Sequence, residues 1–233
     1  MSLQQLFASR TQRMKASEIR ELLKLLNRPG LLSFAGGIPD PALFPSEAFG
    51  KAFQAALTPE MQAQALQYSV SEGYLPLRQW IKAEMMRIGV PCETDNILIT
   101  SGSQQALDYL GKLFLSVNDT ALVGWPTYLG ALAAFNAYEP RYDQLNSGGN
   151  RSALSYQQAA EAAGGAVKFA YLSPDFANPT GETLPLAGRM ALLDRADELD
   201  CAVIEDGASQ ALRYEGEAIA PVLALEIQRR GEI

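Results

Sequence analysis

Histidine is absent from all 233 residues. Ser-His-Asp and Cys-His nucleophile systems, and zinc sites built on imidazole, are excluded with it. Cysteine is scarce: Cys92 and Cys201 stand far apart without CxxC spacing. They read as two reduced thiols of a cytosolic protein, and no metal site is expected. Long apolar runs are lacking too, none approaching the roughly 20 residues that span a bilayer. The first 26 residues mix Arg10, Arg13, Lys15 and Arg20 with Glu18 and Glu21, which is not the pattern of a signal peptide. The expectation is a cytoplasmic protein with no membrane partner. Basic charge is also short, with 19 Lys and Arg against 26 Asp and Glu and a net charge of −7. Phosphate neutralisation needs clustered cations, and Arg229-Arg230 is only a pair, so no nucleic-acid partner is expected. Neither GxxxxGK[ST] nor GxGxxG occurs, which argues against the P-loop and the dinucleotide fingerprint.

What is present is apolar residues, 48% of the chain, enough for a sizeable core. Helical spacing of Ile19, Leu22, Leu23, Leu25 and Leu26 predicts a helix over 16–27, ended by Arg28-Pro29-Gly30. A glycine-bent extended segment follows, in which Gly36 and Gly37 permit close backbone approach. Residues 1–45 are thus an N-terminal extension, and 46–233 the main domain. Ser46 is expected to cap a helix to about Leu57, and Leu75-Pro76 to open one that reaches Ile88. From there short β-prone runs at 96–100, 119–124, 141–145, 169–172 and 202–205 alternate with helical patterns at 104–115, 128–137, 155–163 and 186–199. Pro221 starts a final helix. Such alternation predicts an α/β fold of three layers, a mostly parallel sheet between helices.

Four features fall at the carboxyl edge of that expected sheet, where open α/β sheets bind ligands. Ser101-Gly102-Ser103-Gln104 leads from a strand into a helix N-terminus, whose free N–H groups and dipole favour a phosphate. Trp125-Pro126-Thr127-Tyr128 offers an aromatic ring for stacking on a planar group. Asn178, before Pro179, offers an amide donor. Asp206, closing Ile204-Glu205-Asp206, offers a carboxylate that can keep a pyridine nitrogen protonated, as pyridoxal phosphate requires. Each alone is equally consistent with capping, packing or a turn; together and in this order they point to that cofactor.

The chain resembles the class I/II aminotransferases of the fold-type-I pyridoxal-phosphate enzymes, in the branch with 2-aminoadipate and aromatic aminotransferases and MocR-type effector domains. The resemblance rests on segments 33–40 (SFAGGIPD), 67–74 (QYSVSEGY), 100–107 (TSGSQQAL), 126–130 (PTYLG) and 173–181 (SPDFANPTG). It implies that Gly102, Ser103 and Gln104 hold the cofactor phosphate, that Tyr128 stacks on the ring, that Asn178 bonds the ring oxygen and that Asp206 pairs with the ring nitrogen. It further implies that Gly36, Gly37 and Asn178 lie against substrate, and that Tyr68 reaches the phosphate of a neighbouring subunit in a homodimer. The implied substrates are an amino acid and a 2-oxo acid, with the side-chain class of the amino acid left open.

Two departures stand beside the matches. Ser209 occupies the place where family members carry a tyrosine that supports the ring oxygen, which is expected to weaken the cofactor contact. The six lysines, Lys15, Lys24, Lys51, Lys82, Lys112 and Lys168, do not match the family's Schiff-base lysine, so no catalytic residue is assigned. In the family that lysine, a phosphate-binding arginine and a small C-terminal domain follow the matched part. The expectation is therefore an incomplete pyridoxal-phosphate-binding large domain with impaired catalysis. The alternative is a non-catalytic truncated pseudoenzyme, or an effector domain sensing the cofactor or amino acids.

Overall fold

A computed structural model describes residues 3–14, 30, 37–145 and 151–231. Chain contacts divide it into two units, Met1–Met14 with Glu72–Ile233, and Lys15–Ser71. The expected helix over 16–27 lies outside the described residues, as does Gly36.

In the smaller unit, α1 (Ser46–Ala56) begins after Pro45, and no side chain caps it. Ser46 is the first helical residue rather than the expected cap. The same unit holds the single turn α2 (Gln62–Ala65).

The larger unit opens with α3 (Leu75–Arg87), Pro76 sitting in the first turn where its missing N–H costs nothing. Next come α4 (Ser103–Phe114), β1 (Thr120–Val123), α5 (Leu129–Phe135), β2 (Arg141–Gln144), α6 (Ala153–Ala162), β3 (Val167–Leu172), α7 (Leu186–Leu199), β4 (Ala202–Glu205) and α8 (Val222–Arg230). The four strands form one parallel sheet in the order β2-β1-β3-β4. All four residues of β1 are buried, as a parallel strand covered on both faces demands.

Alternation along the strands sorts the core into two layers. Ala121, Val123, Phe169, Tyr171 and Ile204 face α4 and α5, where Leu107, Ala131 and Phe135 meet them. Leu122 and Ala170 face the opposite way, toward Tyr156 of α6, Leu192 of α7 and Val222 of α8. A register shift beside Thr120 lets Val167 join this second layer although it is two residues from Phe169. Helices thus cover both faces, the three-layer arrangement expected from the strand-helix alternation.

One expected strand does not form. Ile97–Thr100 is extended, and the Ile99 N–H donates to the Glu72 carbonyl at 3.0 Å, but no strand pairs with it among the described residues. Apolar β-prone composition favours extension; a ladder also needs a neighbouring strand. Among the described residues no helix is long and apolar enough to cross a membrane, and no cluster of acidic and cysteine side chains could hold a metal.

Candidate functional site

The chain leaves β1 toward β2 on one side and, after β2, returns to β3 on the other side of β1. That reversal puts a notch at the carboxyl ends of β1 and β3, the place where open α/β sheets take ligands. The loop after β1, with Tyr128, and the loop after β3, with Asn178, begin at these ends, and Gln104 ties the start of α4 to the first of them.

At α4 the backbone turns at Gly102, whose φ of +85° suits glycine. The N–H groups of Gly102, Ser103 and Gln104 donate to no protein group among the described residues. The Ser101 N–H, by contrast, is taken by Gln105 Oε1 at 2.7 Å. Three free donors at the head of a 12-residue helix make an anion seat. Gln104 Nε2 donates to the Gly130 carbonyl at 3.0 Å and so ties this seat to the first turn of α5.

Gly130 is the reason Tyr128 can lie where it does. A Cβ on Gly130 would meet Tyr128 Cζ at 2.3 Å, so the ring folds over the bare backbone. Tyr128 is half-buried and packs against the same layer as Tyr171 and Ile204.

Strand parity decides which of two adjacent carboxylates enters the site. Ile204 points to the α4/α5 face, so Asp206, two residues on, points there too, and Glu205 points away. Glu205 accepts from the Val222 and Leu223 N–H groups at 2.8 and 3.0 Å, capping α8 on the far face. Asp206 instead accepts the Tyr171 hydroxyl proton at 2.7 Å through Oδ2 and the Ala208 N–H at 3.2 Å through Oδ1. Its own N–H extends the ladder by one step, donating to the Leu172 carbonyl at 2.9 Å. Burial first, and then the Asp206 carboxylate, push the Tyr171 phenol up in pKa; Tyr128 acts on it in the same direction and the Ser173 side chain against it. Tyr171 is therefore a neutral donor at ordinary pH.

Contacts thus link Gln104, Gly130 beneath Tyr128, Tyr171 and Asp206 along one face of the sheet. The remaining expected residues stand apart from that chain of contacts. Asn178 is exposed on its loop, and its amide bonds no other side chain among the described residues. Ser103 is exposed as well, and its hydroxyl is free among them. Tyr68, 99% exposed, and Gly37, with a φ of +55°, belong to the smaller unit. Ser209 is half-buried in the turn after Asp206, its carbonyl accepting from Leu212 N–H at 3.0 Å. The described lysines lie elsewhere: Lys51, Lys82 and Lys168 face Glu47, Glu93 and Asp119, and Lys112 is exposed in the last turn of α4. Lys168 lies inside β3 rather than ahead of it.

An ion cluster not expected from the sequence fixes the Asn178 loop. Asp175 Oδ1 is 2.9 Å from both Arg189 and Arg213. Arg189, fully buried, also donates to the Leu184 and Ala220 carbonyls at 3.0 Å each. Arg213 lies 4.8 Å over the Phe176 ring. Asn178-Pro179 is a cis peptide, and Ala177 and Glu182 close the loop with a 2.8 Å backbone bond. The signal was in α7, where Arg189 shares one helical stripe with Leu192, Leu193, Ala196 and Leu199.

No protein-family model matches the sequence. Among proteins it resembles, the 2-aminoadipate transaminase of Thermus thermophilus is 44% identical over 226 residues, covering 96% of this chain and 54% of that protein. Aromatic-amino-acid aminotransferase 1 of Thermococcus litoralis is 40% identical over 232 residues, covering 96% of this chain and 55% of that one. Among solved structures, α-aminoadipate aminotransferase LysN from Thermus thermophilus, complexed with N-(5'-phosphopyridoxyl)-L-leucine, matches with a TM-score of 0.79 at 38% identity. That match covers 100% of this chain and 56% of LysN. The Pyrococcus horikoshii kynurenine aminotransferase, in complex with PMP, matches with a TM-score of 0.80 at 36% identity, covering 96% of this chain and 56% of that one. The chain spans just over half the length of these relatives. By sequence and by fold alike, the chain is similar to these aminotransferases over that half.

Proposed function

We propose that this chain holds pyridoxal 5'-phosphate and contributes to amino transfer between an amino acid and a 2-oxo acid. The donor set fits such a group. Three unpartnered N–H groups at the head of α4 suit a phosphate, and the half-buried Tyr128 ring offers a face for a heterocycle. Asp206 lies on the same side of the sheet, its carboxylate oriented by two donors. The convergence of Asp206 with α4 and α5 on one face is the observation that carries the proposal. Bound there, the cofactor would supply an electron sink once its ring nitrogen is protonated. The part of this chain is to seat the phosphate on Gly102, Ser103 and Gln104, cover one ring face with Tyr128, hold the nitrogen's proton at Asp206, and offer the Asn178 amide to the ring oxygen. Gly36 and Gly37 would lie against substrate. A homodimer, with Tyr68 reaching the neighbouring subunit's phosphate, and a cytoplasmic setting in amino acid metabolism complete the proposal; the two free thiols suit a reducing compartment.

A second reading, binding without covalent chemistry, is favoured by the lysines. Those described are ion-paired or at the far end of α4. Titration of the purified chain with pyridoxal phosphate, followed by absorbance, is expected to show saturable, reversible binding that Asp206→Ala weakens. No binding, or binding indifferent to Asp206, overturns the cofactor assignment. Borohydride reduction followed by peptide mass spectrometry separates the two readings. A lysine adduct supports catalysis by this chain, and none supports the pseudoenzyme or sensor.

A further inference from the structure

Resting on the cofactor proposal above, we infer that Tyr171 is a positioning residue for the pyridine nitrogen, acting through Asp206. Nothing in the resemblance assigns it a role, and its hydroxyl makes a hydrogen bond that reaches the site.

Tyr171 lies near the carboxyl end of β3, fully buried, and pairs across the ladder with Ile204. Asp206, two residues past Ile204, is its diagonal neighbour on the same face, within reach of a long side chain. The Tyr171 ring packs edge-on against Phe135, centroids 5.7 Å apart, with its hydroxyl on the Asp206 side. There it donates to Asp206 Oδ2 at 2.7 Å, a short bond of the kind made to an ionised acceptor.

A consequence follows for Asp206. Its rotamer is set by donors on both oxygens, Tyr171 on Oδ2 and the Ala208 N–H on Oδ1. A carboxylate oxygen accepts more than one hydrogen bond, so each retains room for the pyridinium N–H. Tyr171 thereby holds the Asp206 carboxylate in one orientation, toward the notch, without itself touching the cofactor.

The test compares pyridoxal 5'-phosphate with its 1-deaza analogue, which lacks the ring nitrogen, binding to the wild-type chain and to Tyr171→Phe. Positioning through Asp206 predicts that Tyr171→Phe weakens pyridoxal phosphate about tenfold and leaves the analogue within about twofold. In an Asp206→Asn background, Tyr171→Phe is expected to add almost nothing. Equal losses for both ligands, or no loss for either, would show a merely structural tyrosine and overturn the inference while leaving the cofactor assignment intact. Failure of the wild-type chain to bind either ligand would sink both. Circular dichroism of Tyr171→Phe checks that the sheet is retained.

Discussion

Arg189 lies 2.9 Å from Asp175 with both side chains sealed from solvent, and this pair joins the loop after β3 to the head of α7. Breaking it leaves a buried charge with one partner fewer. Arg189→Met is expected to lower stability by about 3 kcal/mol, as for other buried pairs stripped of one member. Urea denaturation followed by circular dichroism measures the loss. Asp175→Asn combined with Arg189→Met should cost less than Arg189→Met alone, because the buried carboxylate left with Arg213 as its one cation is gone. Equal costs would show that Arg189 matters only for its bonds to the Leu184 and Ala220 carbonyls.

Gly130→Ala tests the seat of Tyr128. The new Cβ would overlap Tyr128 Cζ and Oη, which form the mobile end of a side chain, so the ring can swing and the helix can stay. The expected result is a change in stability under about 1 kcal/mol with a clear drop in pyridoxal phosphate affinity. Stability loss without an affinity change would place Tyr128 in the core rather than in the site.

Glu205→Ala removes both side-chain acceptors at the head of α8. About 1 kcal/mol of stability should go with them, while cofactor affinity holds, because Glu205 faces away from the site. A large affinity loss would mean that the two carboxylates are not separated by the sheet.

Alkaline pH should weaken the fold. Burial pushes the Cys201 thiol up to about 11, with Asp200 adding to the effect. Burial also raises the Tyr142 and Tyr171 phenols. For each group the unfolded chain gives up its proton first. The stabilisation is complete below the ordinary values of 9.0 for Cys and 10.0 for Tyr and is lost as pH climbs through the raised ones. Denaturation midpoints should fall steadily above pH about 9; Tyr142→Phe should flatten that slope. Iodoacetamide at pH about 8 should spare Cys201 accordingly.

Much of the fold was legible in the chain. Short apolar runs separated by helical periodicity mark β1 to β4, and period-two alternation distinguishes Asp206 from Glu205 once Ile204 is known to be core. Ile97–Thr100 has the same composition as a strand, and composition does not say whether a partner lies beside it. For the Asp175, Arg189 and Arg213 cluster, the place of Arg189 on the apolar stripe of α7 marks a buried cation, and a buried cation needs a partner, but which carboxylate supplies it is set by contacts distant along the chain. In the sequence Tyr171 shows only as a strand residue; its bond to Asp206 depends on β3 and β4 being neighbours, which the order of the elements does not fix.

Among the described residues β4 is paired on one flank alone, with β3, and a cleft of about 610 Å³ opens along its other side, walled by Val90, Leu193 and Val222. A bare strand flank of this kind is a template for any extended peptide. Handling the protein in dilute solution should therefore matter. Its Ala202–Glu205 backbone invites self-association as concentration rises, and no lysine or proline within β4 guards it.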